Sequence, residues 1–148
     1  MQISHIKYVA MNTRELVDAG KLNENDTQVQ LMLAGNKRMR VKTLEKNLRG
    51  TGITVAEIML RPGVETEWYR EASAAHIAAN LKIFREAWEF SQAKLAWLCG
   101  IAQTSIKNYE LGSMPGLARL QILADVLEVE VADLMLPLEG SEQIEKDR

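Results

Sequence analysis

The segment 90–112 constrains this chain more than any other part of it. It reads Phe-Ser-Gln-Ala-Lys-Leu-Ala-Trp-Leu-Cys-Gly, then Ile-Ala-Gln-Thr-Ser-Ile-Lys-Asn-Tyr-Glu-Leu-Gly. Two short helical patterns meet at Gly100. The first starts at Ser91, a side chain suited to accept from the free N–H groups of a helix N-terminus. It carries Leu95, Ala96 and Leu98 as its apolar stripe. The second follows Gly100-Ile101 and holds small polar residues on one side. A pair of short helices joined by a tight glycine turn can present its second helix to a partner while the first packs behind it.

That arrangement is a helix-turn-helix, whose second helix enters the DNA major groove. The residues also resemble a known family, the Cro/CI-type (XRE) helix-turn-helix regulators. Members read Ser-Gln-x-x-Leu-Ala, then Gly-(Val/Ile)-x-x-x-x-(Ile/Val), then Glu-x-Gly. Those positions are Ser91, Gln92, Leu95, Ala96, Gly100, Ile101, Ile106, Glu110 and Gly112. The likeness reaches back through Ile77, Leu81, Phe84, Arg85 and Glu86 to the family's first helix. It reaches forward through Leu117, Leu120, Ile122, Leu123, Ala124, Leu127, Val129 and Leu134 to its last two. The resemblance implies a five-helix DNA-binding domain over residues 76–136. Two departures stand out: Glu89 occupies a position where the family often has Gly, and the loop Leu111 to Pro115 lacks the basic residue many members carry there.

Composition narrows the alternatives. The chain has 148 residues, 47% of them hydrophobic and 26% charged. No apolar run approaches the length that spans a bilayer, and no apolar stretch behind a basic flank marks a secretory leader. Cys99 is the only cysteine, which excludes an internal disulfide and fits a reducing cytoplasm. Formal net charge is −2, low for a chain that must approach phosphates. Residues 1–72 hold 11 Lys/Arg against 9 Asp/Glu, whereas residues 73–148 hold 7 against 11.

The Arg61-Pro62-Gly63 breaker divides the chain. The expected organisation is an N-terminal dimerisation or partner-binding unit over 1–61, a linker over 62–75, the helix-turn-helix domain over 76–136 and a flexible tail over 137–148. The fold class is mainly α, the N-terminal unit being a small helical one with room for short strands. There, Ile3 to Met11 fits strand or helix. Thr13 is a candidate cap for a short helix ended by Gly20. Asn25 or Asp26 is a candidate cap for a helix with Val29, Leu31, Met32 and Leu33. Val41, Leu44 and Leu48 lie at helical spacing before Gly50-Thr51-Gly52, and Thr54 suits a cap for Val55 to Leu60. Sixty residues bury little core alone, so this unit is expected to lean on a partner or on the second domain.

A helix turns about 100° per residue. Measured from Gln103, Lys107 then lies about 40° away, Thr104 about 100° and Asn108 about 140°. Ser105, Tyr109, Ala102 and Ile106 fall on the opposite arc. One face is polar and the other small or apolar, as a helix wedged between DNA and its own core requires. Gln103 suits adenine N6 and N7, Thr104 a thymine methyl or base edge, and Lys107 guanine or a phosphate. Asn108 suits adenine or the backbone. By the family resemblance, Gln92 braces the DNA backbone and the first recognition residue, Arg85 is structural, and Glu110 ties down the turn after the recognition helix. The basic stretch containing Arg38, Arg40 and Lys42 offers phosphate contacts that the acidic second half lacks.

Other residue types carry less. His5 and His76 stand apart from any ligand cluster, so no metal or other cofactor is expected. Nothing forms a catalytic set, so no enzyme is expected. Trp88, Trp97, Phe84 and Phe90 read as core, and Cys99 as a packed thiol. Trp68 suits an interface or domain packing. The resulting expectation is a sequence-specific regulator that binds double-stranded DNA, a repressor acting as a homodimer. The alternatives are an antitoxin whose N-terminal unit grips a protein partner, and an interaction module that has lost DNA binding.

Overall fold

The computed structural model describes residues 5–36 and 39–137. Arg38 and the tail beyond Pro137 lie outside them, so the phosphate contact expected of Arg38 and the flexible tail have no structural account here. Within those limits the chain is helical, and its one extended contact is an isolated antiparallel bridge between Arg40 and Gly116. Eight α-helices are present among the described residues: α1 His5–Asp18, α2 Thr27–Leu33, α3 Val41–Leu48, α4 Val55–Ile58, α5 Ile77–Ala87, α6 Gln92–Cys99, α7 Gln103–Glu110 and α8 Leu117–Leu127. Short 3-10 turns at Glu67–Tyr69, Ala74–His76 and Val131–Met135 complete it. The last of these stands where the family's fifth helix is expected. No helix among the described residues is long and apolar enough to cross a membrane.

Local chemistry explains most boundaries. Asp26 caps α2, its Oδ1 accepting from the Gln28 and Val29 amides. Thr54 and Glu57 form a reciprocal capping box at α4. Ser91 caps α6 by accepting from the Lys94 amide at 3.0 Å. Gly100 ends α6 in the left-handed region, φ 68°. There the Ile101 amide reaches back to the Ala96 carbonyl and the Gly100 amide to Trp97, a Schellman end. The same pattern closes α5, with Phe90 bonded to the Arg85 carbonyl and Glu89 to that of Glu86. So Glu89 takes a left-handed conformation, φ 59°, which favours Gly.

Thr13 is a correction. It does not start a helix but sits buried inside α1, with Oγ1 donating to the Val9 carbonyl at 2.6 Å. Back-bonding of this kind lets a hydroxyl live mid-helix, so α1 runs unbroken from His5 to Asp18, and the described part of the Ile3 to Met11 stretch, from His5 onward, is helix.

Two apolar clusters form. The larger draws Ile6, Val9, Met32, Leu44 and Ile58 from the first sixty residues together with Leu117, Leu120, Ala124, Leu134 and Met135. The chain crosses Arg61-Pro62-Gly63 and is then strapped down. The Ser73 amide donates to the Met135 carbonyl at 2.9 Å, and the Tyr69 hydroxyl donates to Asp133 at 3.0 Å. Asn12 donates to the Ile58 and Leu60 carbonyls, and Asn80 to those of Leu134 and Leu136. These amides satisfy carbonyls at helix ends that burial would otherwise orphan. The smaller cluster is Leu81, Leu95, Ala96, Cys99, Ile106, Leu123 and Leu127. Leu95 and Ile106 are fully buried in it, as the helix-turn-helix spacing requires.

Three apolar readings need correction. Trp97 is 74% exposed and Trp88 44% exposed. The Trp97 ring lies under the Lys94 ammonium, 4.7 Å from its centroid, so the indole covers a charged side chain rather than filling the core. Trp88 stacks on Phe90, and its Nε1 donates to the Leu127 carbonyl at 3.0 Å. Leu98 is also open, and Cys99 takes the inward place on α6.

Candidate nucleic-acid interface

α7 packs against α5 and α6. Its inward side chain, Ile106, is buried among Leu81, Leu95, Leu123 and Leu127. That single anchor fixes the rotation of the helix. Gln103, Thr104, Lys107 and Asn108 are consequently all exposed, while Ser105 and Tyr109 are half-buried. The structure therefore brings the four expected reading residues onto one open surface. Ala102, just before the helix, makes no side-chain cap, which leaves the first-turn amides without a side-chain partner.

The angle of α7 is held by a charged clasp. Arg85 Nε donates to Glu110 Oε2 at 2.7 Å and Nη2 to Oε1 at 3.0 Å. Both side chains are nearly buried, at 11% and 5% exposure. The third arm of the guanidinium, Nη1, donates to the Phe90 carbonyl at 2.7 Å. One arginine thus joins α5, the turn before α6 and the end of α7. Hydrogen bonding to Glu110 raises the Arg85 pKa, against the desolvation that lowers it, so the guanidinium stays charged.

Gln92 opens α6 and is half-buried. Its Nε2 donates to Glu110 Oε1 at 3.3 Å, so the side chain extends the clasp. Glu110 was expected to tie down the following turn; its partners are Arg85 on α5 and Gln92 on α6. A sequence pattern cannot show this pairing, because the residues stand 25 positions apart.

Of the basic stretch, Arg40 and Lys42 are described and exposed. Arg40 lies in the bridge to Gly116, and the Leu117 amide donates to the neighbouring Met39 carbonyl at 3.4 Å. The N-terminal half therefore places a cation beside the loop that lacks one. Arg119, not singled out from the sequence, adds another: its Nη1 donates to the Tyr109 hydroxyl at 3.3 Å, at the far end of α7. The signal available for it was its position in the first turn of α8. Lys107, Arg40, Lys42 and Arg119 have no ion pair among the described residues. No group of three or more potential metal ligands occurs among those residues.

Residues 81–134 match the family model described as helix-turn-helix. No curated protein and no solved structure matches the chain.

Proposed function

Since residues 81–134 belong to the Cro/CI-type helix-turn-helix family of DNA-binding transcription regulators, we propose that the protein is a repressor that binds a two-fold symmetric operator as a homodimer. It acts in the cytoplasm. The observation that carries the reading is the rotation of α7: Ile106 is buried, and Gln103, Thr104, Lys107 and Asn108 share the open face. Gln103 and Thr104 read base edges, and Asn108 reads a base or holds the backbone. Lys107 contacts guanine or a phosphate. Gln92 keeps α7 at its angle through Glu110 and lies at the edge of the phosphate track. Arg40, Lys42 and Arg119 supply sequence-independent attraction, with Arg38 expected to join them. Residues 1–61 provide the dimer or partner contact; Met11 and Leu31, on α1 and α2, are exposed apolar side chains suited to it.

The antitoxin reading draws on that same exposed surface, and a second small protein that co-purifies with the chain would favour it. The test of the main reading is to recover bound genomic DNA and footprint it. Two protected patches about 34–36 Å apart, or at a multiple of that, are expected for a dimer. Gln103→Ala should lower operator affinity by about 1–3 kcal/mol and relax preference at one base pair, with an unchanged melting temperature. Unchanged affinity in a stably folded variant would remove Gln103 from the reading face.

A further inference from the structure

A cavity of about 380 Å³ opens in the N-terminal half, far in sequence from α7. Its wall carries three cations, Lys21, Lys46 and Arg49, together with the amides of Asn23 and Asn47. None of the three cations is ion-paired among the described residues. The carboxylate in the wall is Asp26, and its Oδ1 is committed to capping α2 through the Gln28 and Val29 amides. The lining therefore holds a net charge of +2. Asn47 Nδ2 has only the Met32 sulfur as acceptor, at 3.6 Å, a weak partner for an amide. Beneath these groups, half-buried Leu22 and buried Val29 give an apolar floor.

Three exposed cations lining one hollow raise its local positive potential and favour an anion there. A phosphate monoester fits the site in charge, carrying about −1.5 to −2 near neutrality. Its acceptor oxygens match the guanidinium fork of Arg49 and the two ammonium groups. The volume lies in the range of small-ligand pockets, about 300–1,000 Å³. The apolar floor accepts the organic part of such an ester. We propose that this cavity is a binding site for a small organic phosphate, held by Lys21, Lys46 and Arg49. The site is independent of the DNA reading, since its occupation is measured without DNA.

The probes are inorganic phosphate and phenyl phosphate, added to the full chain at constant ionic strength with chloride as balance. Phenyl phosphate should raise the melting temperature saturably and bind more tightly than inorganic phosphate, because only it covers Leu22 and Val29. Lys46→Gln/Arg49→Gln should weaken phenyl phosphate at least tenfold, while Lys7→Gln, an exposed lysine outside the cavity, should bind like the parent. The melting temperature of each ligand-free variant confirms that it folds. A shift that never saturates, or one equal in the double variant, overturns the proposal by reducing it to ionic screening. Loss of salt-dependent duplex binding in the double variant, with no phenyl phosphate binding by the parent, also overturns it and assigns these cations to the DNA backbone.

Discussion

The two apolar clusters differ in how they are closed. The smaller one, behind α7, draws all its buried members from residues 81–127 and is clamped by Arg85 and Glu110. The larger joins Ile6 to Met135 and has no buried ion pair; neutral amides of Asn12 and Asn80 hold its edges. A directional ion pair fixes an angle, whereas apolar contact tolerates small shifts. The charged closure lies at the end of α7, and the apolar closure where bulk is buried. α8 serves both, with Leu117, Leu120 and Ala124 facing one cluster and Leu123 and Leu127 the other.

The contrast can be broken most directly by removing the first 67 residues. A chain starting at Trp68 would expose Leu117, Leu120, Ala124, Val131, Leu134 and Met135 at once. It should lose its cooperative thermal transition by calorimetry; a sharp transition in that fragment would mean the smaller cluster suffices alone. Arg85→Ala comes next. It strands Glu110 in a nearly closed site and should cost about 3–5 kcal/mol in urea unfolding. Arg85→Met combined with Glu110→Leu should recover much of that loss, because no charge is left unpaired. If the double variant also loses its DNA affinity, the clasp sets the angle of α7 rather than the stability of the domain.

The larger cluster has its own titrating edge. Burial, then the charge and hydrogen bond of Asp133, push the Tyr69 pKa up from 10.0 to about 12. The folded state thus favours the protonated phenol. That contribution is complete below pH 10 and fades as pH rises through about 12. Stability measured by urea unfolding should fall more steeply over this window in the parent than in Tyr69→Phe. Equal slopes would detach Tyr69 from the seam between the halves. The smallest effect is expected at Glu89. Its left-handed backbone strains any residue with a Cβ, so Glu89→Gly should raise stability by about 0.5–1 kcal/mol, with α5 ending at the same residue.

Much of this was legible in the sequence because local rules govern it. Ser91 as cap, Gly100 as left-handed stop, and the Leu95 and Ile106 spacing required only neighbours along the chain. Asp26, Thr54 and the Val41, Leu44 and Leu48 stripe were readable for the same reason. The pairing of Arg85 with Glu110, the placement of Arg40 beside Gly116 and the open setting of Trp97 were not. Each depends on how remote segments meet, and single-chain periodicity carries no such information. Thr13 misled because a hydroxyl that caps a helix and one that back-bonds within it look alike in a sequence. Glu89 showed the reverse: its identity gives no hint of a left-handed residue, yet it closes α5 at φ 59°.

The make-up of the larger cluster bears on the order in which a ribosome delivers this chain. Ile6, Val9, Met32, Leu44 and Ile58 emerge early, but Leu117, Leu120, Ala124, Leu134 and Met135, which cover them, emerge late. Pairings so distant in sequence are slow to form, and partly covered apolar surface is prone to associate while it waits. The helices that surround Ile106 close within a much shorter span. During synthesis the half made first must remain unfinished until the half made last has arrived.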